Sequence, residues 1–179
     1  MRITKVTTRT GDLGETGLGN GERLSKNSLR IHALGSVDKL NSYIGWTKVE
    51  STGKIEDILG EIQQDLFNIG GELAVPDVEM NLLTEQKSVW METMIENFND
   101  KLPALTEFIL PGGNELSARL HLSRTQCRET ERCIIGLKEN EFVPDKHNRY
   151  LNRLSDLLFV FARTALIEDG LDEKSWDYE

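Results

Sequence analysis

The residues best suited to chemistry in this chain are four arginines that lie close together. They fall within fourteen residues of a helical stretch, in a chain whose net charge is −9: Arg119, Arg124, Arg128 and Arg132. A guanidinium group is planar, always charged and shaped to bind carboxylate or phosphate oxygens. The cluster therefore indicates either a site for an anionic ligand or a solvated basic helix face. This stretch alone leaves both interpretations open.

The N-terminal residues offer the chemistry of a phosphate site. Residues 1–30 mix threonine, glycine and basic residues. Glycine lets the backbone approach a ligand, while hydroxyl and cationic groups can complete a phosphate cradle. The sequence departs from the standard phosphate loop, because Asn20 and Gly21 follow Gly19 where Lys and Ser or Thr are needed. Since such a composition is also typical of a mobile arm, both interpretations stay open here.

Other kinds of catalytic site find little support in the sequence. None of the three histidines, at positions 32, 121 and 147, has a glutamate three residues before it, so the Glu-x-x-His pattern of di-iron bundles is missing. Two cysteines, Cys127 and Cys133, are too few for a zinc site, and no G-x-S-x-G motif occurs. We therefore predict no protein metal site, and expect any enzymatic activity to depend on binding and charge stabilisation.

Composition excludes several classes of protein. The 179 residues are 38% hydrophobic and 28% charged, which is typical of one globular domain. An isoelectric point near 4.9 argues against nucleic acid as a partner, because phosphate backbones are bound by basic surfaces. No apolar run approaches the ~20 residues of a membrane span, and the N-terminus has no signal-like apolar segment. We expect no membrane partner and a cytoplasmic location.

Apolar periodicity predicts five helices. Stripes recurring every three to four residues extend over about 29–50, 55–75, 85–99, 114–137 and 149–169, and only the N-terminus contains a candidate strand. The predicted fold is an all-α, five-helix bundle within a single domain of residues 1–179. It is preceded by a Gly/Thr-rich arm, residues 1–30, and followed by a polar tail, residues 171–179, with the bundle spanning residues 31–170.

Five stretches in register resemble the PduO-type ATP:cob(I)alamin adenosyltransferases. They are TRTGDLGET (8–16), GSVDKLNS (35–42), FILPGG (108–113), RTQCRETER (124–132) and NRLSD (152–156). The resemblance implies a homotrimer with active sites between subunits. It also implies transfer of the 5′-deoxyadenosyl group from ATP, with Mg²⁺, to the cobalt of cob(I)alamin, with release of triphosphate. A cobalamin reductase and an adenosylcobalamin-dependent client enzyme are the further partners that it suggests.

The resemblance also assigns roles to residues. Asp38 and Arg124 match a functional ion pair between helices on the corrinoid side, and Phe108 matches an aromatic residue beneath the corrin ring. The nucleotide-binding residues that it implies, in the arm and on the last two helices, are Thr8, Arg9, Thr10, Gly11, Thr16, Gly17, Lys26, Arg128, Glu131, Arg132 and Asn152. Such a site suits the chemistry, because cobalt(I) is itself the nucleophile and needs no protein base.

Two departures from the family pattern reverse charge near this predicted site. Lys39 replaces a usual glutamate, and Glu129 stands where an arginine is common. Two alternative functions remain open: a nucleotide-binding regulatory bundle without transferase activity, and a structural helical oligomer with buried ion pairs. The corrinoid-side residues argue against the first alternative, and the Gly/Thr-rich arm is unexplained by the second.

Overall fold

The computed structural model describes residues 7–178, so residues 1–6 of the predicted arm and residue 179 of the predicted tail lie outside it. Its five helices confirm the predicted all-α bundle. They are α1 (Leu29–Lys48), α2 (Gly53–Leu73), α3 (Gln86–Asn99), α4 (Glu115–Lys138) and α5 (Asp145–Glu168). The arm forms a small antiparallel hairpin of β1 (Glu15–Gly17) and β2 (Arg23–Ser25). No helix of the described chain is long and apolar enough to cross a membrane.

Helices α1, α2, α4 and α5 pack around the main apolar core, and α3 packs against α5. Contacts between α4 and α5 join Cys127 to the Leu151 carbonyl and the start of α4 to the end of α5, so these two helices are antiparallel. The core is lined by leucine and isoleucine side chains, with the buried aromatic rings of Tyr150 and Phe161 among them. This packing fixes which face of α4 points outward.

Small polar side chains join α1 to α4. The Ser36 and Thr130 hydroxyls lie 2.9 Å apart, and the Thr47 and Ser123 hydroxyls lie 2.8 Å apart. Hydroxyl groups of this size let two helices approach closely while satisfying each other's hydrogen-bonding capacity. These pairs fix the register of α4 against α1, and with it the position of every arginine on α4.

Helix α5 begins one turn earlier than the sequence pattern predicts, at Asp145 rather than Arg149. The first turn is polar, yet Lys146 and His147 are buried. Both contact Glu72 of α2: the lysine Nζ lies 3.2 Å from Oε1, and the histidine Nε2 lies 2.6 Å from Oε2. The backbone N–H of Leu83 donates a third hydrogen bond to Glu72. A hydrophobic pattern cannot reveal a turn that is buried through charge and hydrogen bonding.

The arm is anchored at one end of the bundle. Gly19 donates a backbone hydrogen bond of 2.8 Å to the Ala74 carbonyl, just past the end of α2. A Cβ at Gly19 would lie 2.9 Å from a methyl group of Val75, so this approach requires glycine. Nearby, buried Arg30 donates to Glu141 and to the Leu73 carbonyl. The base of the arm is thus held where α1 begins.

The C-terminal tail is more than a polar extension, because it pairs with the chain before α4. Ile109 and Ser175 form an antiparallel bridge, and Trp176 donates a backbone hydrogen bond of 2.7 Å to the Phe108 carbonyl. Arg163 of α5 supports both segments, since it is paired with Glu173 and donates to the Pro103 carbonyl. This end of the bundle lies opposite the arm.

The Glu72 cluster generates a stability prediction. We expect Glu72→Gln to lower the free energy of unfolding by about 3 kcal/mol, because it leaves the buried Lys146 cation without a counter-charge. Urea denaturation followed by circular dichroism measures the change. Glu61→Gln is the matched control, since Glu61 forms an exposed pair with Lys87 and its loss should cost less than about 1 kcal/mol. Equal effects of the two substitutions would contradict this role for the cluster.

Candidate active site

A large cavity lies beside the middle of α4 and α5, next to the segment 105–109, whose Ile109 pairs with Ser175 of the tail. Its volume is about 560 Å³. Its walls come from the segment 105–109, from α4 and from α5, and combine the aromatic rings of Phe108 and Phe159 with the cations of Arg124 and Arg128. Asp156 adds a carboxylate at its rim. Such a cavity suits a large ligand that is flat and apolar in part and carries polar groups at its edge.

Two polar side chains in this cavity lack partners. The Nε atom of Arg124 and the Nδ1 atom of His121 are buried, and neither has a hydrogen-bond partner within the described chain. An unsatisfied buried polar atom of this kind costs about 1–3 kcal/mol of stability. Burial lowers the pKa of Arg124, and the neighbouring Arg128 cation lowers it further. A ligand that offers hydrogen-bond acceptors would relieve both costs.

Phe108 forms an exposed aromatic wall. Its side chain is 77% exposed, and its ring centroid lies 6.5 Å from that of Trp176 in an edge-on arrangement. The backbone pairing of the tail with residues 108–110 holds the wall in place. The structure places Phe108 at the wall of the cavity, and the contribution of the tail to that wall was not predicted.

A second, more cationic hollow adjoins the cavity between α1 and α4. Its volume is about 420 Å³, and Arg124 and Arg128 line both spaces. Lys39 and Arg132 also line the hollow, and Glu129 forms an ion pair with Arg132 there. The charge reversal at Lys39 therefore adds to the positive charge of the hollow, while the reversal at Glu129 is offset locally by an arginine.

Asp38 does not form the predicted ion pair with Arg124 within one chain. Its side chain is exposed on α1, and no ion pair involving it or Arg124 occurs among residues 7–178. Arg124 instead lies over the face of Phe159, with its guanidinium carbon 5.9 Å from the ring centroid. The register of α1 against α4 explains the difference, because the small residues that join the helices leave both charged groups outside their contact.

Glu131 and Asn152, two of the predicted nucleotide-binding residues, lie in contact between α4 and α5. The Asn152 amide Nδ2 donates to the Glu131 carboxylate at 3.4 Å, linking α4 and α5 beside the arginines. Arg128 is exposed and has neither a hydrogen bond nor an ion pair within the part of the chain described. Arg119, by contrast, is fully engaged: it pairs with Glu115 and stacks on Trp46, and so has a structural role.

The predicted phosphate-binding residues of the arm form a loop of their own. The Lys26 ammonium donates to the Gly11 carbonyl at 2.8 Å, and the Thr8 and Thr10 hydroxyls lie 3.1 Å apart. Arg9 has a φ of 59°, a left-handed conformation that is unusual outside glycine. Thr16 and Gly17 belong to β1. The hydrogen bonds and ion pairs of this loop stay within the arm or join it to Ala74, so among the described residues none connects it to Phe108 or to the arginines of α4.

Sequence reasoning missed three features of the cavity. His121 is buried and lines the cavity, whereas the sequence pattern identified it only as a histidine without the Glu-x-x-His spacing. Phe159 lines the cavity one turn after Asp156 on α5, and it is absent from the predicted site residues. The aromatic residues of the tail, Trp176 and Tyr178, were overlooked within a polar segment. Aromatic side chains interrupting polar stripes were the available signal.

The fold and the cavity together define a helical bundle with a large, partly apolar cavity beside a cationic hollow. The family model described as cobalamin adenosyltransferase matches residues 6–165, and the chain belongs to that family. A cobalamin adenosyltransferase of Cupriavidus metallidurans is 44% identical over 180 residues, covering 99% of this chain and 97% of that protein. A corrinoid adenosyltransferase of Bacillus subtilis is 39% identical, covering 97% and 92%.

Solved structures agree with this assignment. A variant of the PduO-type ATP:corrinoid adenosyltransferase from Lactobacillus reuteri, complexed with cobalamin and ATP, superimposes with a TM-score of 0.93. It is 36% identical, and the match covers 97% of this chain and 100% of that one. The family resemblance that the five sequence motifs indicated is therefore confirmed.

The buried imidazole of His121 generates a pH prediction. Burial, with the Arg124 cation adding to it, lowers the pKa of His121 from 6.5 to about 4. Because the unfolded chain then binds more protons than the folded chain between these values, the free energy of unfolding should fall as the pH drops from 6.5 to 4. We expect a smaller fall for His121→Gln. Urea denaturation at a series of pH values measures both slopes, and identical slopes would contradict the assignment.

Proposed function

We propose that this protein transfers the 5′-deoxyadenosyl group of ATP to the cobalt of cob(I)alamin, giving adenosylcobalamin and triphosphate. The observation that carries the proposal is the cavity shared by Phe108, Arg124 and Arg128 and continued by a cationic hollow, in a chain that belongs to the cobalamin adenosyltransferase family. The relative from Lactobacillus reuteri was solved with cobalamin and ATP, the two substrates that the proposal requires.

The reaction needs positioning more than acid–base chemistry. The cobalt(I) electron pair attacks C5′ of the ribose, the new cobalt–carbon bond forms, and the bond from C5′ to the triphosphate oxygen breaks with its electrons leaving on that oxygen. No proton has to be moved by the protein. Its tasks are to align C5′ with cobalt and to stabilise the negative charge on the departing group. An arginine-rich site with few histidines fits those tasks.

The cavity is the proposed corrinoid site. Phe108 and Ile109 would cover the lower face of the ring, with Phe159 on the opposite wall. An apolar wall there excludes water and a lower axial ligand, both of which donate electron density to cobalt and oppose its reduction. Arg124 would stand between the corrinoid and the nucleotide, because it lines both the cavity and the hollow.

The hollow and the arm are the proposed nucleotide site. Arg128 and Arg132 would bind triphosphate oxygens, and Glu131, oriented by Asn152, would contribute a hard oxygen ligand to the Mg²⁺ that accompanies ATP. The metal would neutralise charge on the phosphates.

The arm and the arginines would meet between subunits of a homotrimer. In one chain no hydrogen bond or ion pair joins the described arm residues to the arginines of α4, so a neighbouring copy would complete the site with its arm: Thr8, Arg9, Thr10, Gly11, Thr16, Gly17 and Lys26. Asp38, exposed on α1, could then pair with Arg124 across the interface.

The domain organisation, the location and the partner proteins are also part of the proposed function. We propose that residues 1–179 act as a single domain in the cytoplasm, with a cobalamin reductase supplying electrons and an adenosylcobalamin-dependent enzyme receiving the product. Their support is the family resemblance together with the exposed mouth of the cavity beside Phe108, through which a reduced corrinoid could enter and a product leave.

Anaerobic incubation with ATP and chemically reduced cobalamin tests the reaction directly. We expect the absorbance of adenosylcobalamin to appear together with an equal amount of triphosphate, measured by chromatography. Arg128→Ala should lower the rate about a hundredfold, because charge on the leaving group is no longer stabilised. Arg149→Ala is the matched control, since that arginine pairs with Glu85 on the surface. ATP binding without product would instead support a regulatory bundle.

Mixing two inactive variants tests the placement of the site between subunits. Lys26→Ala damages the arm, and Arg128→Ala damages α4. Co-expressed at equal levels, they should recover roughly a quarter of wild-type activity, since that share of interfaces pairs an intact arm with an intact α4. A chain that carries both substitutions, expressed alone, gives the background activity. Absence of recovery above that background would show that each chain forms its own site.

A further inference from the structure

The strongest unassigned feature is the histidine inside the proposed corrinoid cavity. His121 lies on α4, one turn before Arg124, and is 4% exposed. Its ring stands edge-on to Phe159, with the centroids 6.2 Å apart, and it lines the same cavity as Phe108. Its buried Nδ1 atom has no hydrogen-bond partner within the described residues. The proposed reaction has no use for a base, so the imidazole requires a different explanation.

Two of the unpartnered buried atoms belong to side chains that line this cavity. The buried Nε of Arg124 is also without a partner among the described residues, and both side chains contact the ring of Phe159. Buried polar atoms are nearly always hydrogen-bonded in folded proteins, so two such side chains lining one cavity indicate a ligand with polar atoms at its edge. Ligand groups in this part of the cavity must complement a guanidinium and an imidazole together.

The hydrogen-bonding capacity of the two groups limits which ligand groups can match them. A neutral imidazole offers one donor and one acceptor, whereas a guanidinium only donates. A primary carboxamide matches both groups. Its carbonyl oxygen can accept a hydrogen bond from Arg124 while its NH2 group donates to the acceptor nitrogen of the imidazole. Alternatively, the carbonyl oxygen can accept from the N–H of the imidazole. A carboxylate would satisfy Arg124 but would leave the acceptor nitrogen of the imidazole unmatched. Acetamide and propionamide groups surround the corrin ring.

We propose that His121 binds a carboxamide on the rim of the corrin ring and, with Arg124, sets the position of the ring against Phe108. This inference rests on the proposed function, because it needs a corrinoid in the cavity. It assigns to His121 a part in substrate recognition and none in proton transfer. The aromatic ring of Phe159 keeps the imidazole facing the rim of the ligand.

Equilibrium binding of hydroxocobalamin without ATP tests this role. Quenching of tryptophan fluorescence provides the signal, since Trp176 adjoins Phe108 at the cavity wall. We expect His121→Leu to weaken binding about tenfold, while His121→Gln, which keeps a donor and an acceptor, stays within about threefold. The affinity for ATP should change less than about twofold in both variants.

Ser117→Ala is the matched control. Ser117 lies on the same helix, and its buried hydroxyl also lacks a partner, but it does not line the cavity. We expect its loss to leave hydroxocobalamin binding unchanged. If His121→Leu fails to fold, His121→Met, whose flexible side chain fills irregular space, replaces it.

Several results would overturn the inference. They are unchanged hydroxocobalamin binding in His121→Leu, equal loss in His121→Gln, and parallel loss of ATP binding, which would indicate a structural role only. Cobinamide gives a further check, because it keeps the rim amides but lacks the nucleotide loop: a penalty seen with hydroxocobalamin and absent with cobinamide would place the contact elsewhere. Nitrogen hyperfine splitting from His121 on bound cobalt(II) would show metal coordination instead.

The outcome for the wild-type protein separates the two proposals. If wild-type protein does not bind hydroxocobalamin, both the proposed function and the role of His121 fail. If it binds hydroxocobalamin and forms adenosylcobalamin, but His121→Leu does so equally well, only the role of His121 fails.

Discussion

The structure is arranged around one constraint: a positive charge lies against apolar side chains and has no counter-ion. Arg124 is partly buried beside Phe159, and no carboxylate of the described chain pairs with it. Removing a charge from water without a partner is costly, so such a group persists only where the surrounding fold gains enough elsewhere. The close packing of α1 against α4 supplies that support, and the arginine stays available for a ligand or a neighbouring chain.

The buried cations of the bundle differ in whether a carboxylate accompanies them. Near the start of α5, Glu72 meets Lys146 and His147, and Arg30 meets Glu141. Beside the cavity, the partly buried Arg124 has no carboxylate partner among the described residues, and its Nε atom has no hydrogen-bond partner there. The paired cations stabilise the fold, whereas Arg124 stays available for recognition.

The sequence predicted the helices and the family well, because both depend on patterns that are local or in register along the chain. Apolar periodicity located five helices, and the motifs at Phe108 and Arg124 pointed to the cavity. The start of α5 was missed because buried charge has no apolar signature. The burial of His121 was not predicted because it depends on packing against Phe159, which lies on another helix. The separation of Asp38 from Arg124 depends on helix register, which no single motif encodes.

The pairing of the tail with residues 108–110 has a practical consequence for handling this protein. A purification tag or fluorescent reporter joined directly after the tail would lie beside the cavity wall, and its linker could disturb the backbone pairing that holds Phe108. A tag joined before the arm would lie close to the proposed phosphate loop and could disturb it. A label inserted in the exposed loop between α2 and α3, around Val78 and Glu79, should disturb the cavity and the arm less.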